Sequence, residues 1–81
     1  MELSSAQSRA ARGLLNWSQT QLATASNLSE STIRDFEKGR RTPAINNLAA
    51  IKRALEDAGV QFLKHGEVAS GGGVSLKASQ K

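Results

Sequence analysis

The sequence has no cysteine and a single histidine, His65, among its 81 residues. Without cysteine, neither a disulfide framework nor a thiolate metal site can support the fold. One histidine cannot build a multi-histidine metal site alone, and we expect His65 to be exposed. We therefore expect no metal and no cofactor. A chain of this length forms one small domain, which must depend on an apolar core and well-capped helices, or on a second copy of itself.

Long apolar segments and catalytic motifs are also absent. No apolar run approaches the roughly 20 residues that cross a bilayer, and the N-terminal residues contain no apolar block of the secretory type. These absences predict a cytoplasmic protein without a membrane partner. Serine, histidine and acidic residues are present, but no triad spacing or nucleophile motif relates them. The sequence is therefore not expected to be that of an enzyme.

Positive charge exceeds negative charge, with 11 lysines and arginines against 7 acidic residues and a net charge of +4. This balance favours a negatively charged partner without identifying it. Three of the cations, Lys38, Arg40 and Arg41, lie close together at the end of a predicted helix and just after it. Taken alone, the pair Arg40 and Arg41 would more often belong to a solvated loop.

The first predicted helix covers about residues 4–16, and Ser4 or Ser5 can cap its start. Arg9 and Arg12 are three residues apart and can share one face of this helix. Four apolar residues fall near another face, which we expect to be buried. They are Ala6, Ala10, Leu14 and Leu15.

The second predicted helix covers about residues 19–26 and has strong capping signals. Ser18 and Gln21 are three residues apart, as in a capping box, and Trp17 and Leu22 have the spacing of a hydrophobic staple. With only two turns, this helix is too short to be stable in isolation. We therefore expect it to pack against a neighbouring helix.

Asn27 predicts a tight turn into a third helix, because asparagine tolerates the left-handed backbone region better than other residues with a Cβ. The third helix would cover about residues 29–38 and stop at Gly39. Ile33 and Phe36 are three residues apart and should face inward. Polar residues of mixed charge are left on the outer side, so the helix is amphipathic.

The fourth predicted helix opens at Thr42 and Pro43, with threonine as the cap and proline at the first helical position. Gly59 would end it. Apolar residues recur through this helix at spacings of three and four, which predicts a core stripe. The stripe consists of Ile45, Leu48, Ile51 and Leu55.

The C-terminal stretch changes from helical to strand-like patterns. Residues 60–64 and 74–77 alternate apolar and polar side chains around a glycine-rich segment, which predicts a β-hairpin with a flexible loop. Because a two-stranded hairpin is marginal alone, it should rest on the helical body or pair with another chain. A disordered tail after residue 64 is the alternative.

Residues 18–43, SQTQLATASNLSESTIRDFEKGRRTP, resemble the helix-turn-helix of the phage repressor and Cro type, also called the xenobiotic-response-element family. With the flanking helices, the resemblance covers about residues 4–58. The sequence departs from the family at Asn27, where glycine is usual. The resemblance implies a mainly α, four- to five-helix repressor-like DNA-binding domain at 1–59. A short β-hairpin or flexible C-terminal extension would follow at 60–81.

In this family the second motif helix, here from about Ser29 to Lys38, enters the major groove of DNA while the first lies across the backbone. Among the outward residues, Arg34 can donate a fork to guanine and Glu30 can accept a hydrogen bond from cytosine. The residues that the resemblance implies face the bases are Glu30, Ser31, Arg34 and Asp35.

Contacts to the DNA backbone are implied around this base-reading helix. Gln19, at the start of the first motif helix, would lie on a phosphate and could also touch a base edge or a neighbouring side chain. Thr32 and the three clustered cations resemble phosphate contacts. The full set of expected DNA-binding residues is Ser18, Gln19, Ser29, Glu30, Ser31, Thr32, Arg34, Asp35, Lys38, Arg40 and Arg41.

Simpler interpretations of these residues remain open. A helix face of mixed charge is commonly solvated surface, and Arg34 and Lys38 could pair with Glu30 and Glu37. Gln19 could be no more than a favourable first-turn residue.

The resemblance implies a sequence-specific transcriptional regulator that binds double-stranded DNA as a homodimer on half-sites about one helical turn apart. The alternative is an antitoxin-like protein-interaction module whose C-terminal tail binds a partner protein. The behaviour of the tail distinguishes the two functions. A tail that becomes ordered only with a second protein favours the antitoxin, whereas a tail that pairs with the tail of another copy favours the dimeric regulator.

Overall fold

A computed structural model describes residues 3–63 and 73–76. This part of the chain forms four helices followed by two antiparallel strands, which confirms the predicted mainly α fold with a C-terminal hairpin. The predicted hairpin loop, with His65, lies outside the described residues. The elements are α1 (Ser5–Leu15), α2 (Gln19–Ser26), α3 (Glu30–Glu37), α4 (Ile45–Asp57), β1 (Val60–Leu63) and β2 (Gly73–Leu76).

Capping boxes begin the first two helices. The Ser4 hydroxyl accepts from the Gln7 N–H at 3.1 Å, and the Gln7 side chain accepts from the Ser4 N–H at 3.0 Å. Ser18 and Gln21 repeat this exchange at 3.1 and 2.7 Å. Each box satisfies N–H groups that lack a partner within the helix, and a cap of this kind stabilises by about 1 kcal/mol. The predicted helix starts at Ser4 and Ser18 are confirmed.

Two asparagines in the left-handed conformation end α1 and α2. Asn16 has φ 59° and Asn27 has φ 60°. The next N–H in each case reaches back to the carbonyl five residues earlier, Trp17 to Arg12 and Leu28 to Ala23, both at 2.9 Å. This is the Schellman pattern, which pairs carbonyls left open at a helix end. The prediction for Asn27 is confirmed, and α1 uses the same device.

The third helix begins and ends as predicted. The Ser29 hydroxyl accepts from the Thr32 N–H at 3.1 Å. Gly39 has φ +77°, and its N–H donates to the Phe36 carbonyl at 3.0 Å. A Cβ at this glycine would meet nothing within 4 Å. Glycine is therefore favoured here by the positive φ and not by a lack of space.

The predicted start of α4 is wrong. The helix begins at Ile45, and its N-cap is Ala44, which provides no side-chain hydrogen bond. Ala44 has ψ 154°, so the chain is still extended at this residue. Pro43 therefore precedes the helix and is buried, and Thr42 is not its N-cap. The chain leaves α4 through Gly59, with φ +108°, as predicted.

The apolar core collects one stripe from each helix and the start of β1. Leu22, which follows the capping box of α2, and the interior residues of α3 and α4 are buried as predicted, but Ile45 is 69 % exposed because it lies at the very start of its helix. The buried apolar residues are Leu3, Ala11, Leu22, Ala23, Ile33, Phe36, Leu48, Ile51, Ala54, Leu55 and Val60.

The buried face of α1 differs from the prediction. Ser8 and Ala11 are buried, whereas Ala6 and Ala10 are exposed and Leu14 is 42 % exposed. The helix is rotated so that polar groups, including the Ser8 hydroxyl, meet a buried carboxylate of α3. A charged group inside the protein needs such partners, and the same face also buries Ala11 and packs Leu15 against the core.

The strands β1 and β2 are antiparallel, with Val60 opposite Leu76 and Phe62 opposite Val74. The Val60 side chain is fully buried, and the hairpin packs against α1 and α4. The described strands therefore rest on the helical body of their own chain, which was one of the two predicted arrangements.

Candidate nucleic-acid interface

The two faces of α3 differ sharply in exposure. Ile33, Phe36 and Glu37 are buried against the rest of the domain. The opposite face carries the predicted base-reading residues, of which Asp35 is half-buried and the rest are exposed. Positions three and four residues apart are neighbours on a helix surface, so these side chains form one continuous patch. The exposed members are Glu30, Ser31, Arg34 and, just after the helix, Lys38.

Hydroxyl groups cluster at the N-terminus of α3. The Ser29 oxygen lies 2.7 Å from the Thr32 hydroxyl and 3.2 Å from the Ser31 hydroxyl. Ser29 and Ser18 both accept a backbone N–H as helix caps, so the first role of each is structural. A serine hydroxyl also carries one proton that it can donate. Both residues can therefore cap a helix and still donate to a DNA phosphate.

A basic loop follows α3. Lys38, Arg40 and Arg41 are exposed. Among the described residues, none of these three side chains makes a hydrogen bond or salt bridge, and the same is true of Arg34. The alternative in which Arg34 and Lys38 pair with Glu30 and Glu37 is therefore not formed. Four cations on and beside one helix face thus have no partner within the described part of the chain, an arrangement that suits a polyanion.

Glu37 occupies a position that the sequence interpretation missed. Its side chain is 1 % exposed and forms a salt bridge with Arg12 of α1, with the Nη2 and Oε1 atoms 2.6 Å apart. The Arg12 Nε donates to both carboxylate oxygens at 3.1 and 3.0 Å, and the Ser8 hydroxyl donates to Oε2 at 2.6 Å. Arg9 donates to the Glu37 backbone carbonyl. Two arginines of α1 thus meet the last residue of α3.

Helical spacing contained the signal for this site. Glu37 lies four residues after Ile33 and one after Phe36, so it continues the buried stripe of α3. Arg9 and Arg12 were recognised as sharing a face, but no partner was assigned to them. An acidic residue on an apolar stripe, combined with an arginine pair on another helix, predicts a buried ion pair.

The Glu37 carboxylate is held in its ionised form. Burial by itself would raise the pKa of Glu37, but hydrogen bonds from Arg12, Ser8 and Gln19, together with the Arg12 charge, outweigh it and lower the pKa below its ordinary value. Every buried side-chain nitrogen and oxygen in the described part of the chain has a hydrogen-bond partner. The buried charge is thus fully satisfied.

Gln19 belongs to the same network. It is half-buried at the start of α2, and its Nε2 donates to the Glu37 Oε1 at 3.2 Å. Contact with a neighbouring side chain was one of the expectations for this residue, and the structure confirms it. Its contact with DNA stays a prediction.

A model of the helix-turn-helix family matches residues 9–56, more than half of the chain. The match includes α2, α3 and the turn at Asn27 between them. No curated protein matches the sequence. Within residues 3–63 and 73–76, no helix combines the length and apolar character needed to cross a membrane. The chain belongs to the helix-turn-helix family of the phage repressor and Cro type, and it is a DNA-binding transcription regulator of that kind.

Proposed function

We propose that this protein is a sequence-specific regulator that places α3 in the major groove of double-stranded DNA. The observation that carries this proposal is the exposed polar face of α3 beside a loop whose cations have no partner among residues 3–63 and 73–76. An α-helix fits the major groove, where each base pair presents a distinct pattern of donors and acceptors. A polar helix face without internal ion pairs is suited to reading that pattern.

Base reading is assigned to the exposed face of α3. Arg34 lies in the middle of this face, and its guanidinium can donate two parallel hydrogen bonds to the O6 and N7 atoms of guanine. Glu30 can accept from the amino group of cytosine, and Ser31 can donate or accept. Asp35 is half-buried at the edge of the face. Arg34 is therefore the residue expected to contribute most to sequence preference.

Phosphate binding is assigned to the surroundings of α3. Lys38, Arg40 and Arg41 follow the C-terminal end of the helix, where they would meet phosphates on the wall of the groove. The hydroxyls of Ser18, Ser29 and Thr32 and the Gln19 amide lie at or near helix N-termini. Backbone N–H groups there add favourable partial positive charge toward a phosphate. These contacts would fix the position of α3 without reading sequence.

The regulator is further proposed to act as a homodimer on two half-sites. Proteins that use this motif commonly bind as two-fold dimers with half-sites about one helical turn apart. Among the described elements, β1 and β2 pair only with each other. An outer strand edge can accept a strand from another chain, which supports the hairpin as a dimer contact.

A selection of bound duplexes from a randomised pool tests the proposed function. The full chain should enrich a defined site, and a two-fold dimer should enrich it as an inverted repeat. The variant R34A should lose preference at one base pair of each half-site. Equal recovery of all sequences by the full chain would contradict sequence-specific binding.

A further inference from the structure

Glu37 joins three helices at the edge of the proposed DNA-binding surface. It is the last residue of α3. Its carboxylate accepts hydrogen bonds from Ser8 and Arg12 of α1 and from Gln19, the first residue of α2. Gln19 is half-buried, so part of it is accessible while its amide contacts a buried group. The network therefore connects the interior of the domain to a residue expected to contact DNA.

The chemistry of the carboxylate fixes the orientation of the Gln19 amide. An ionised carboxylate has oxygens that only accept hydrogen bonds, so it can be met by the NH₂ end of an amide but not by the carbonyl end. Glu37 is ionised at neutral pH, because its lowered pKa follows from the groups that donate to it. With one Nε2 proton directed to Glu37, Gln19 keeps its second N–H and its carbonyl oxygen for other partners.

The bond between these two residues matters more to Gln19 than to Glu37. Glu37 accepts from Arg12 and Ser8 at 2.6 Å, and these short bonds satisfy its buried charge. The bond from Gln19 is longer, at 3.2 Å, and comes from a neutral donor. All of these bonds end on an ionised acceptor, but only those from Arg12 also carry a charged donor, and only Arg12 adds a salt bridge. Glu37 thus orients Gln19, whereas Gln19 contributes little to holding Glu37.

We propose that Glu37 is a positioning residue for DNA binding, whose carboxylate holds the Gln19 amide so that its free N–H meets a DNA phosphate. This inference rests on the proposed function. It goes beyond that function by assigning a role in DNA affinity to a residue that is 1 % exposed and cannot touch DNA itself. The role requires Gln19, and this requirement distinguishes it from a general contribution to stability.

A double-mutant cycle on the selected duplex tests the requirement. Q19A should weaken binding by about tenfold, the value of one hydrogen bond to a charged group. E37Q should weaken binding when Gln19 is present, because an amide at position 37 no longer fixes the orientation of the Gln19 amide. The double variant should bind no more weakly than Q19A alone. Additive losses, or full affinity in E37Q, would overturn the proposal.

The variant I51V provides a control for stability alone. Ile51 is fully buried on α4, whereas the side-chain hydrogen bonds to the Glu37 carboxylate come from α1 and α2. Loss of one buried methylene group typically costs about 0.5–1.5 kcal/mol. At a temperature where circular dichroism shows each variant to be folded, I51V should keep wild-type affinity. A loss in I51V equal to that in E37Q would overturn the positioning role and leave a structural one.

A second measurement applies if E37Q leaves Arg12 without its partner and does not fold. In the wild-type chain, the side-chain amide resonances of Gln19 can be followed by NMR as the pH is lowered. They should shift together with protonation of Glu37, whose charged neighbours are Arg9 and Arg12. Resonances that stay constant would overturn the proposal. Failure of the wild-type chain to bind any duplex would instead contradict the proposed function.

Discussion

Arg34 lies in the middle of the exposed face of α3 and has no partner among the described residues. R34A should cost roughly 1–3 kcal/mol on the preferred duplex and relax the preference at one base pair, since a good bidentate contact to guanine has about this value. R53A is the matched control, because Arg53 is exposed on α4 and outside the proposed interface. An equal loss of affinity for every DNA sequence would show that Arg34 contacts the DNA backbone and does not read a base.

Asn27 has φ 60°, a conformation in which a Cβ is unfavourable. N27G should raise the free energy of unfolding by a few tenths of a kcal/mol, up to about 1 kcal/mol, because glycine removes the backbone strain of the left-handed region. N27V should lower it by more, since a β-branched residue resists this region. N16G supplies an internal comparison, because Asn16 has φ 59°. Equal thermal midpoints for N27G and N27V would contradict this assignment.

Residues that act locally could be predicted from the sequence, and those that act across helices could not. Ser18 with Gln21 and the turn at Asn27 depend on neighbours within a few positions, and both appear as predicted. Glu37 depends on Arg12, which is 25 positions away. Acidic residues are mostly exposed to solvent, so the sequence alone gives no reason to bury Glu37. Its pairing with Arg12 becomes visible only when α1 is packed against α3.

At the scale of elements, the basic loop after α3 should increase affinity for DNA without contributing to sequence specificity. The double variant R40A/R41A should weaken binding to all duplexes about equally and reduce the slope of log affinity against log salt by about 1–2, because roughly one counterion is released for each neutralised phosphate. R53A again controls for the loss of positive charge outside this loop. An unchanged salt dependence would show that this loop does not contact DNA phosphates.

The contact between α1 and α3 should make stability depend on pH. The pKa of Glu37 is lowered in the folded chain, so the unfolded chain binds its proton more readily. The stabilisation is therefore complete above the unfolded pKa, near 4.3, and is lost as the pH falls through the lower folded pKa. Urea titrations from pH 7 to pH 3 should show this loss in the wild type and less of it in E37Q.

The exposed Glu30 provides the comparison for this pH dependence. E30Q removes a carboxylate of the same type from α3 without touching the buried network. It should keep the wild-type dependence of the free energy of unfolding on pH. Identical profiles for E37Q and the wild type would show that the salt bridge does not couple stability to protonation.

Element types were predictable, but two details of their placement were not. The periodicity of α4 identified Leu48, Ile51 and Leu55 as buried, and capping signals located α1 and α2. The Thr42 and Pro43 signal misplaced the start of α4 because the chain stays extended through Ala44. The buried face of α1 was misassigned because polar residues on it meet the Glu37 carboxylate of α3, a partner that apolar periodicity alone does not reveal.

For the whole molecule, the role of the hairpin in dimerisation can be tested by truncation. Removing residues 64–81 deletes β2 and keeps Val60, which is fully buried in the core. Sedimentation should show a monomer that remains helical by circular dichroism. Its operator affinity should fall because the linked second half-site is lost.

A truncated chain that stays dimeric and binds the operator as tightly as the full chain would exclude the hairpin from the dimer contact. The C-terminal segment would then be open to the alternative role of binding a partner protein. The sequence predicted the hairpin and its strand pairing, since alternation and glycine content are local features. Assembly depends on surfaces of two chains, so it remains a prediction.

Leu3 and Val60 belong to one core cluster although they are 57 positions apart. During synthesis, the ribosome releases the helices from α1 onward before it releases Val60 at the start of β1. The nascent chain therefore carries a complete pair of motif helices while its core is still open at the place that Val60 fills. Complete packing of the core beneath α3 therefore requires that the strand has left the exit tunnel.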